Sequence, residues 1–287
     1  MTTPHPRAFV VGHPIAHSRS PLIHGHWLAE HGLAGTYERI DIHPDAFPAF
    51  VRSLREVGFV GGNVTIPHKE AAFRLAQVLT PRAERIGAVN TLWFEDGRLH
   101  GDNTDAPGFL AHLDASLGAG WPEATGVADG RAALVLGAGG AARAILVGLL
   151  ERGLDRLIVA NRSAERAESL TALDPARITA VPWTAVPSLL PETGLLINTT
   201  ALGMAGQDAL ALDLAPLPGA AAVADIVYVP LETPLLAAAR ARALPVVDGL
   251  GMLLHQAVPG FSLWFGRTPD VTPALRARIV ADLGSHG

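Results

Sequence analysis

The sequence predicts an α/β protein built from two domains. Short apolar runs alternate with amphipathic segments through roughly the first hundred residues and again from about residue 131, as expected when strands and helices alternate around largely parallel sheets. A glycine-rich turn, "LGAGGAARA", follows the first strand of the second run. Between the two runs, "GFLAHLDASLGAGWPEATGVADG" contains a short helix and then a Gly- and Pro-rich link, which is typical of a domain boundary.

The first run of elements ends in a β-hairpin. Its segments are typical of strand, helix, strand, helix, strand, helix and hairpin in this order: "AFVVG", "SPLIHGHWLAEHG", "TYERIDI", "PDAFPAFVRSLREVG", "FVGGNVTI", "PHKEAAFRLAQVL" and "GAVNTLWFEDGRLHGDN". Ser20 with Pro21 indicates a helix start, and Gly58 indicates a helix end. Asp96-Gly97 is a favoured hairpin turn. We predict a largely parallel sheet followed by a hairpin.

The second run has a similar α/β pattern. Strand and helix alternate through "AALVLG", "GAARAILVGLLERG", "RLIVAN" and "SAERAESLTAL", and further strands are predicted at "LLINTT", "AAVADIVYV" and "LPVVDG". No repeat of solenoid length interrupts this pattern. The second run therefore predicts a separate α/β domain.

Composition excludes several functional classes. Net charge is −5, with no long run of either sign, so nothing indicates a nucleic-acid or anionic-membrane partner. The most apolar window, residues 132–150, carries Arg143 and several glycines, which argues against a membrane span. The absence of cysteine excludes disulfides, thiolate zinc sites and thiol nucleophiles and is compatible with the cytoplasm. The 12 histidines include no HExxH pattern, and we predict no metal site.

The glycine-rich turn indicates a dinucleotide site. Gly137, Gly139 and Ala142 form a G-x-G-x-x-A pattern between a strand and a helix, where glycine lets the backbone approach a pyrophosphate at the helix N-terminus. The alternative is an ordinary structural turn, but the turn lies within a complete βαβ unit.

The residues at the end of the next predicted strand indicate which dinucleotide the protein prefers, NADP or NAD. An NAD site usually has an acidic residue at this tip, whereas "VANRSAER" offers Asn161, Arg162, Ser163 and Arg166. Arginine pairs with a 2′-phosphate, so NADP is favoured. The alternative is that both arginines merely solvate a helix start, where the helix dipole mildly disfavours them.

Lys69 is the single lysine among 22 Lys and Arg residues. Chance survival under a bias towards arginine is one explanation. The other is that this position needs a group that can lose its proton, since guanidinium stays charged at any working pH. Lys69 is therefore a candidate acid–base residue.

The motifs taken together resemble one family, the shikimate dehydrogenases, which include shikimate/quinate dehydrogenases. The matching stretches are "GHPIAHSRSPLIH", "GGNVTIPHKE", "GAVNT", "GDNTDAPGF", "LGAGGAARA", "NRS", "INTTALGM", "DIVY" and "DGLGMLLHQA". They occur in the family's order from residue 12 to residue 257. The resemblance implies reversible, NADP-dependent reduction of 3-dehydroshikimate to shikimate in aromatic amino-acid biosynthesis.

The resemblance also implies site residues. Ser18 and Ser20 would hold the substrate carboxylate, and Lys69 would be the catalytic lysine beside Asp105. The implied contacts to the rest of the substrate are Thr65, Asn90, Asp105, Gln256 and the nearby Tyr228. The implied cofactor-binding residues are Gly137, Ala138, Gly139, Gly140, Ala141, Asn161, Arg162, Ser163, Arg166, Thr199, Met204, Ile226 and Gly249.

The domain limits follow from the same resemblance. Residues 1–104 and 249–287 would form the substrate domain, and residues 105–248 would form a Rossmann-like NADP domain, with a cleft between the two. The expected partner is a small molecule, with no nucleic acid or membrane, and the expected state is a monomer or homodimer. Two alternatives stay open, a quinate/shikimate dehydrogenase using NAD or NADP and a non-catalytic dinucleotide-binding sensor. Retention of both Lys69 and Asp105 argues against the sensor.

Overall fold

The computed structural model describes residues 5–285, apart from the side chain of Ser285. Residues 1–4 and 286–287, which the predicted first domain includes, lie outside the described residues. The chain forms two compact units. The first runs to Thr104 and resumes at Leu254, and the second is Asp105–Leu253. Within residues 5–285, every helix falls short of the length and apolarity that a membrane crossing requires.

The first unit is built on a mixed sheet. Its elements begin in the order β1 (Arg7–Gly12), α1 (Ser20–Glu30), β2 (Thr36–Asp41), α2 (Phe47–Ser53), β3 (Phe59–Val64), α3 (Lys69–Leu75), β4 (Val78–Leu79), α4 (Pro81–Ile86), β5 (Thr91–Glu95) and β6 (Arg98–Asp102). The strand order is β2-β1-β3-β5-β6-β4. β1 is parallel to β2 and β3, whereas β5 is antiparallel to β3 and β6. The predicted hairpin is confirmed, and Asp96 and Gly97 at its turn have φ of 48° and 76°.

The predicted helix over "PHKEAAFRLAQVL" extends too far at its C-terminal end. The helix stops at Leu75, and Val78–Leu79 pair with β6 as the edge strand β4. Gln77 N–H donates to Leu99 O over 2.8 Å, so a distant strand determines the conformation here. Local periodicity carries no information on such a partner. The next helix, α4, was not predicted, and it begins where Thr80 Oγ1 accepts from Ala83 N–H.

The second unit is a doubly wound parallel sheet. Its elements are α5 (Asp105–Leu117), α6 (Trp121–Ala124), β7 (Ala132–Leu136), α7 (Gly140–Glu151), β8 (Leu157–Asn161), α8 (Ala164–Thr171), β9 (Ile178–Pro182), α9 (Val186–Leu189), β10 (Thr193–Asn198), β11 (Ala222–Asp225), α10 (Pro234–Ala241), β12 (Val246–Val247) and α11 (Gly249–His255), whose last residues enter the first unit. The order is β12-β11-β10-β7-β8-β9, and apolar clusters cover both faces. Strand β9, which was not predicted, lies at an edge, where its terminal Pro182 is tolerated.

The C-terminal segment returns to the first unit through α12 (Ala257–Phe265) and α13 (Pro273–Ser285). Trp264 Nε1 donates to Leu92 O of β5 over 2.9 Å. A side chain at Gly61 would lie 2.4 Å from Trp264 Nε1, so this packing requires glycine in β3. Trp27 Nε1 of α1 donates to Asp270 O, between the two helices, over 3.0 Å.

The return to the first unit occurs five residues later than the predicted boundary at 248/249. Residues 249–253 belong to the second unit. A side chain at Gly249 would lie 2.2 Å from Ile226 O, and one at Gly251 would lie 2.0 Å from His112. The start of α11 is therefore packed tightly against the end of β11 and against α5, both in the second unit.

Candidate active site

Ser18 lies in the loop between β1 and α1, and Ser20 is the first residue of α1. Ser20 N–H donates to Ser18 Oγ over 3.3 Å, so the two predicted carboxylate ligands are adjacent in space. Asp41, at the end of β2, accepts from the Ile15 backbone over 3.3 Å and from His13 Nδ1 over 2.6 Å. The hydrogen bond from His13 lowers the pKa of Asp41 below its usual value. This pair secures the loop that presents the serines.

Asn90 is the centre of a buried polar group at the start of β5. Its Oδ1 accepts from the Thr104 backbone over 2.8 Å and from Thr91 Oγ1 over 2.9 Å. Its Nδ2 donates to Gln256 Oε1 over 3.4 Å. Asn90 and Gln256 are 3% and 9% exposed, and the structure thus brings together two predicted substrate ligands.

Thr65 directly follows β3, and Lys69 begins α3. The Thr65 backbone donates to Val11 O over 2.9 Å, and a side chain at Gly12 would lie 2.6 Å from the Thr65 methyl group. The backbone carbonyl of Lys69, the first residue of α3, accepts from Val89 N–H over 3.0 Å. Lys69 is half-buried, and its main chain is hydrogen-bonded to the residue that precedes Asn90.

A neighbouring polar and aromatic group was not predicted. Tyr37 Oη donates to Asn63 Oδ1 over 2.6 Å, and Asn63 Nδ2 donates to Asn90 O over 3.1 Å. Desolvation raises the pKa of Tyr37 well above its usual value. The ring of His24 stacks on Tyr37 with centroids 3.9 Å apart. The strand pattern of "TYERIDI" predicts β2, but it gives no sign of these partners.

His24 is fully buried, and burial lowers its pKa to about 3. The nearby Asn63 amide offsets part of this shift, although neither ring nitrogen has a hydrogen-bond partner within residues 5–285. The ring lies among Trp27, Tyr37 and Phe261. The histidine therefore behaves as a neutral aromatic core residue behind the Asn63 group.

The predicted dinucleotide turn lies at the switch point of the second sheet. Successive strands β8 and β9 extend the sheet on one side of β7, and β10 lies on the other. Gly137 follows β7 with φ of 106°, and a side chain there would lie 2.6 Å from Thr199 Oγ1. Gly139 and Gly140 begin α7 and face open space. A pyrophosphate fits this turn, since backbone N–H groups at a helix N-terminus bind anions.

Two arginines lie beside the turn, Arg162 directly after β8 and Arg166 in the first turn of α8. Arg162 and Arg166 are exposed and form no ion pair within residues 5–285. Asn161 Nδ2 donates to Ser163 O over 3.0 Å, and Ser163 Oγ caps α8 by accepting from Arg166 N–H. A cavity of about 210 Å³ is lined by Gly137, Ala138, Gly139, Asn161, Arg162, Arg166, Trp183, Thr199, Thr200, Ala201, Leu202 and Gln207.

The remaining predicted cofactor residues follow β10, β11 and β12. Ile226 follows β11, and Gly249 packs against it. Met204 is exposed. The next residue, Ala205, donates its N–H to Val229 O over 2.8 Å, which connects the Met204 loop to the segment after β11. Asp225, which was not predicted, accepts from Thr233 Oγ1, Asn198 Nδ2 and Val227 N–H over 2.7, 2.9 and 3.0 Å. Burial raises the pKa of this carboxyl group above its usual value.

Asp105 and Tyr228 belong to the second unit, unlike the other predicted substrate ligands. Asp105 is half-buried at the start of α5 and follows Thr104, whose backbone is held by Asn90. Tyr228 is half-buried three residues after β11.

The residues of the described range 5–285 include no group of three or more His, Cys, Asp or Glu side chains arranged to hold a metal ion.

Family models match three parts of the chain. The "Shikimate dehydrogenase substrate binding domain" matches residues 10–92, "Shikimate / quinate 5-dehydrogenase" matches residues 123–228, and "Shikimate 5'-dehydrogenase C-terminal domain" matches residues 249–277. A curated relative, shikimate dehydrogenase (NADP(+)) of Methylobacterium radiotolerans, is 70% identical over 284 residues, which cover 99% of each chain.

Solved structures have the same fold. Shikimate 5-dehydrogenase from Thermus thermophilus, in complex with NADP(H) and shikimate, is 40% identical with a TM-score of 0.82, and the match covers 97% of this chain and 99% of that one. Quinate dehydrogenase from Corynebacterium glutamicum, in complex with NAD, is 28% identical with a TM-score of 0.86, and the match covers 96% and 99%. With matches over nearly its whole length, the chain belongs to the shikimate dehydrogenase family.

Proposed function

We propose that this protein is an NADP-dependent shikimate dehydrogenase, which reversibly reduces 3-dehydroshikimate to shikimate in aromatic amino-acid biosynthesis. The observation that carries the proposal is the location of the single lysine next to a buried polar group. The Lys69 carbonyl accepts from Val89 N–H, and the next residue, Asn90, is hydrogen-bonded to Gln256. The 70% identical relative has this activity in its name.

The polar side chains of the first unit fit a small polyhydroxylated acid. The adjacent hydroxyls of Ser18 and Ser20 would donate to the substrate carboxylate. Thr65, Asn90 and Gln256 would bind the ring hydroxyls, with Asp105 and Tyr228 as further contacts. The hydrogen bond of 3.4 Å between Asn90 and Gln256 is long, so substrate hydroxyls can replace it at little cost. A site that hydrogen-bonds each hydroxyl discriminates strongly against analogues that lack one.

Lys69 would be the general acid and base of the reaction. In the direction of reduction, its ammonium group donates a proton to the carbonyl oxygen of the substrate as that oxygen becomes a hydroxyl. In the direction of oxidation, the neutral amine accepts the same proton. Arginine cannot take this part, because its guanidinium group does not release a proton at working pH. Asp105 would orient the ammonium group.

The second unit would hold the cofactor, which supplies the hydride when bound. The open backbone at Gly139 and Gly140, with Gly137, Ala138 and Ala141 beside it, would receive the pyrophosphate. Asn161, Arg162, Ser163 and Arg166 would surround the 2′-phosphate, since guanidinium groups without ion-pair partners in the described chain suit a dianion. Thr199, Met204, Ile226 and Gly249 would line the nicotinamide side.

Parallel assays test this proposal. Reduction of NADP⁺ and of NAD⁺ would be followed with shikimate and with quinate, and we expect the highest kcat/KM for shikimate with NADP⁺. The quinate dehydrogenase that shares the fold makes quinate with NAD the relevant second candidate. A higher kcat/KM for that pair would overturn the assignment. The assignment of substrate binding to the first unit and of NADP binding to the second, a cytoplasmic location and a monomeric or homodimeric state stay predictions, and light scattering tests the last.

A further inference from the structure

Trp183 lies at the arginine end of the cofactor cavity. Pro182, the last residue of β9, pairs with Asn161, the last residue of β8, so Trp183 leaves the sheet beside Arg162. Trp183 also lines the same cavity as Arg162 and Arg166. An indole ring and two guanidinium groups therefore border one space at the edge of the sheet.

Trp183 differs from the tryptophans of the core. Trp27, Trp121 and Trp264 are at most 4% exposed, and the indole N–H of each donates to an acceptor in the protein. Trp183 is half-buried, and its indole N–H makes no hydrogen bond within residues 5–285. Part of the ring packs against the apolar cluster that includes Ala160 and Val186. The ring is thus supported by the core while it borders the cavity.

We propose that Trp183 is the surface on which the adenine ring of NADP(H) stacks, an assignment that rests on the proposed NADP site. In NADP the 2′-phosphate and the adenine are attached to the same ribose. If Arg162 and Arg166 bind that phosphate, the adenine must lie within the length of one sugar from them, at the end of the cavity that Trp183 borders. A supported indole offers a planar π-face there, and nucleobases stack favourably on such faces.

Different ligands can distinguish the role of the Trp183 ring from that of the arginines, because the two contact different parts of NADP. Arginine contacts act on the 2′-phosphate, so they should distinguish 2′,5′-ADP from 5′-ADP. Stacking acts on the base, which both ligands share. A tryptophan that only filled the core would affect thermal stability without favouring adenine ligands over other ligands.

Calorimetric titration of the whole protein with 2′,5′-ADP and 5′-ADP tests the assignment. Trp183→Leu should weaken both ligands by the same factor, about 5- to 30-fold, and Trp183→Phe should restore most of the loss. Arg162→Ala should weaken 2′,5′-ADP far more than 5′-ADP. Trp93→Leu is the matched control, because Trp93 is half-buried on β5 in the first unit. The KM for shikimate should stay at the wild-type value in both Trp183 variants.

Indole fluorescence supplies a second readout, which does not depend on Trp183→Leu folding. Quenching of the wild-type emission by 2′,5′-ADP should largely disappear in Trp183→Phe. Undiminished affinity for both ligands in folded Trp183→Leu would overturn the assignment, as would a loss confined to 2′,5′-ADP or quenching that persists in Trp183→Phe. Failure of the wild-type protein to bind 2′,5′-ADP would instead refute the proposed NADP site, and the Trp183 assignment with it.

Discussion

The side-chain amide of Asn90 donates a hydrogen bond to Gln256 Oε1, a residue 166 positions later in the chain. The bond exists because the chain returns to the first unit at Leu254 after completing the second. It brings Gln256, at the junction of α11 and α12, to the start of β5. The Gln256 side chain of this polar group is thus positioned by the packing of the C-terminal segment.

The two residues of this pair should respond differently to alanine substitution. Asn90→Ala removes the acceptor for Thr104 N–H and Thr91 Oγ1, and leaving buried donors unsatisfied should destabilise the protein by about 1–3 kcal/mol. Gln256→Ala should cost less stability. Both should raise the KM for shikimate, which steady-state kinetics and urea unfolding can compare. A Gln256→Ala variant with unchanged KM would remove Gln256 from the substrate site.

The serine pair should act on substrate affinity and not on cofactor affinity. Ser18→Ala and Ser20→Ala each remove one hydroxyl donor, so each should raise the KM for shikimate about tenfold, while the Kd for NADP⁺ stays unchanged. Ser18→Ala should have an additional effect on the loop, because Ser18 Oγ also accepts from Ser20 N–H. If neither variant changes the KM, the carboxylate is held elsewhere.

Arg162 should determine the preference for NADP over NAD. Arg162→Asp replaces a charge-assisted pair with a repulsion and should weaken NADP⁺ binding by about 1.5–3 kcal/mol. NAD⁺ lacks the 2′-phosphate, so its affinity should change less. Arg52→Asp makes the same change of charge at an exposed position on α2 and is the control. Equal losses for the two cofactors would exclude Arg162 from the phosphate site.

The position of the glycine turn at the end of a buried strand was predictable from sequence. Gly137 and Thr199 lie far apart in the chain, yet each directly follows a strand. In a parallel sheet such residues meet at one edge, so local patterns predict a three-dimensional group. The hairpin at Asp96-Gly97 was predictable for a similar reason, since its turn chemistry is local.

The parts that sequence reasoning missed depend on non-local contacts. Strand β9 is short and ends in proline, and only its pairing with β8 reveals that Trp183 borders the arginine cavity. The hydrogen bond from Tyr37 to Asn63 joins β2 to β3 across β1. Neither relationship has a periodic signal, because both are set by tertiary packing.

Burial of His24 should make stability depend on pH. Its folded pKa of about 3 lies below the unfolded value, so the unfolded state binds the proton more tightly. Above the unfolded pKa of about 6.5, His24 is neutral in both states and costs the protein no stability. As pH decreases towards 3, the free energy of unfolding should fall, with a slope of up to about 1.4 kcal/mol per pH unit.

Urea unfolding between pH 4 and pH 8 compares the wild type with His24→Phe, which keeps an aromatic ring against Tyr37 but cannot be protonated. The difference between the two curves isolates the contribution of His24 from that of the other titrating groups. The variant should lose less stability on acidification. Parallel curves for the two proteins would show that His24 is not the group responsible.

Lys69 provides the test of the proposed chemistry. If it supplies only positive charge, Lys69→Arg should retain activity, as arginine occupies every other Lys or Arg position of the chain. If it transfers a proton, both Lys69→Arg and Lys69→Ala should lose about 10²- to 10⁴-fold in kcat. Folding should survive, since the hydrogen bond that joins Lys69 to Val89 uses the Lys69 backbone carbonyl and not its side chain.

The decisive measurement is kcat for Lys69→Arg with shikimate and NADP⁺ across pH. Thermal melting establishes that the variant is folded, and the Kd for NADP⁺ should be unchanged because the glycine turn belongs to the other unit. The KM for shikimate should rise less than kcat falls if the contact strengthens chiefly in the transition state. Turnover near the wild-type value would mean that this single lysine is a relic of composition, and another residue would then have to carry the proton.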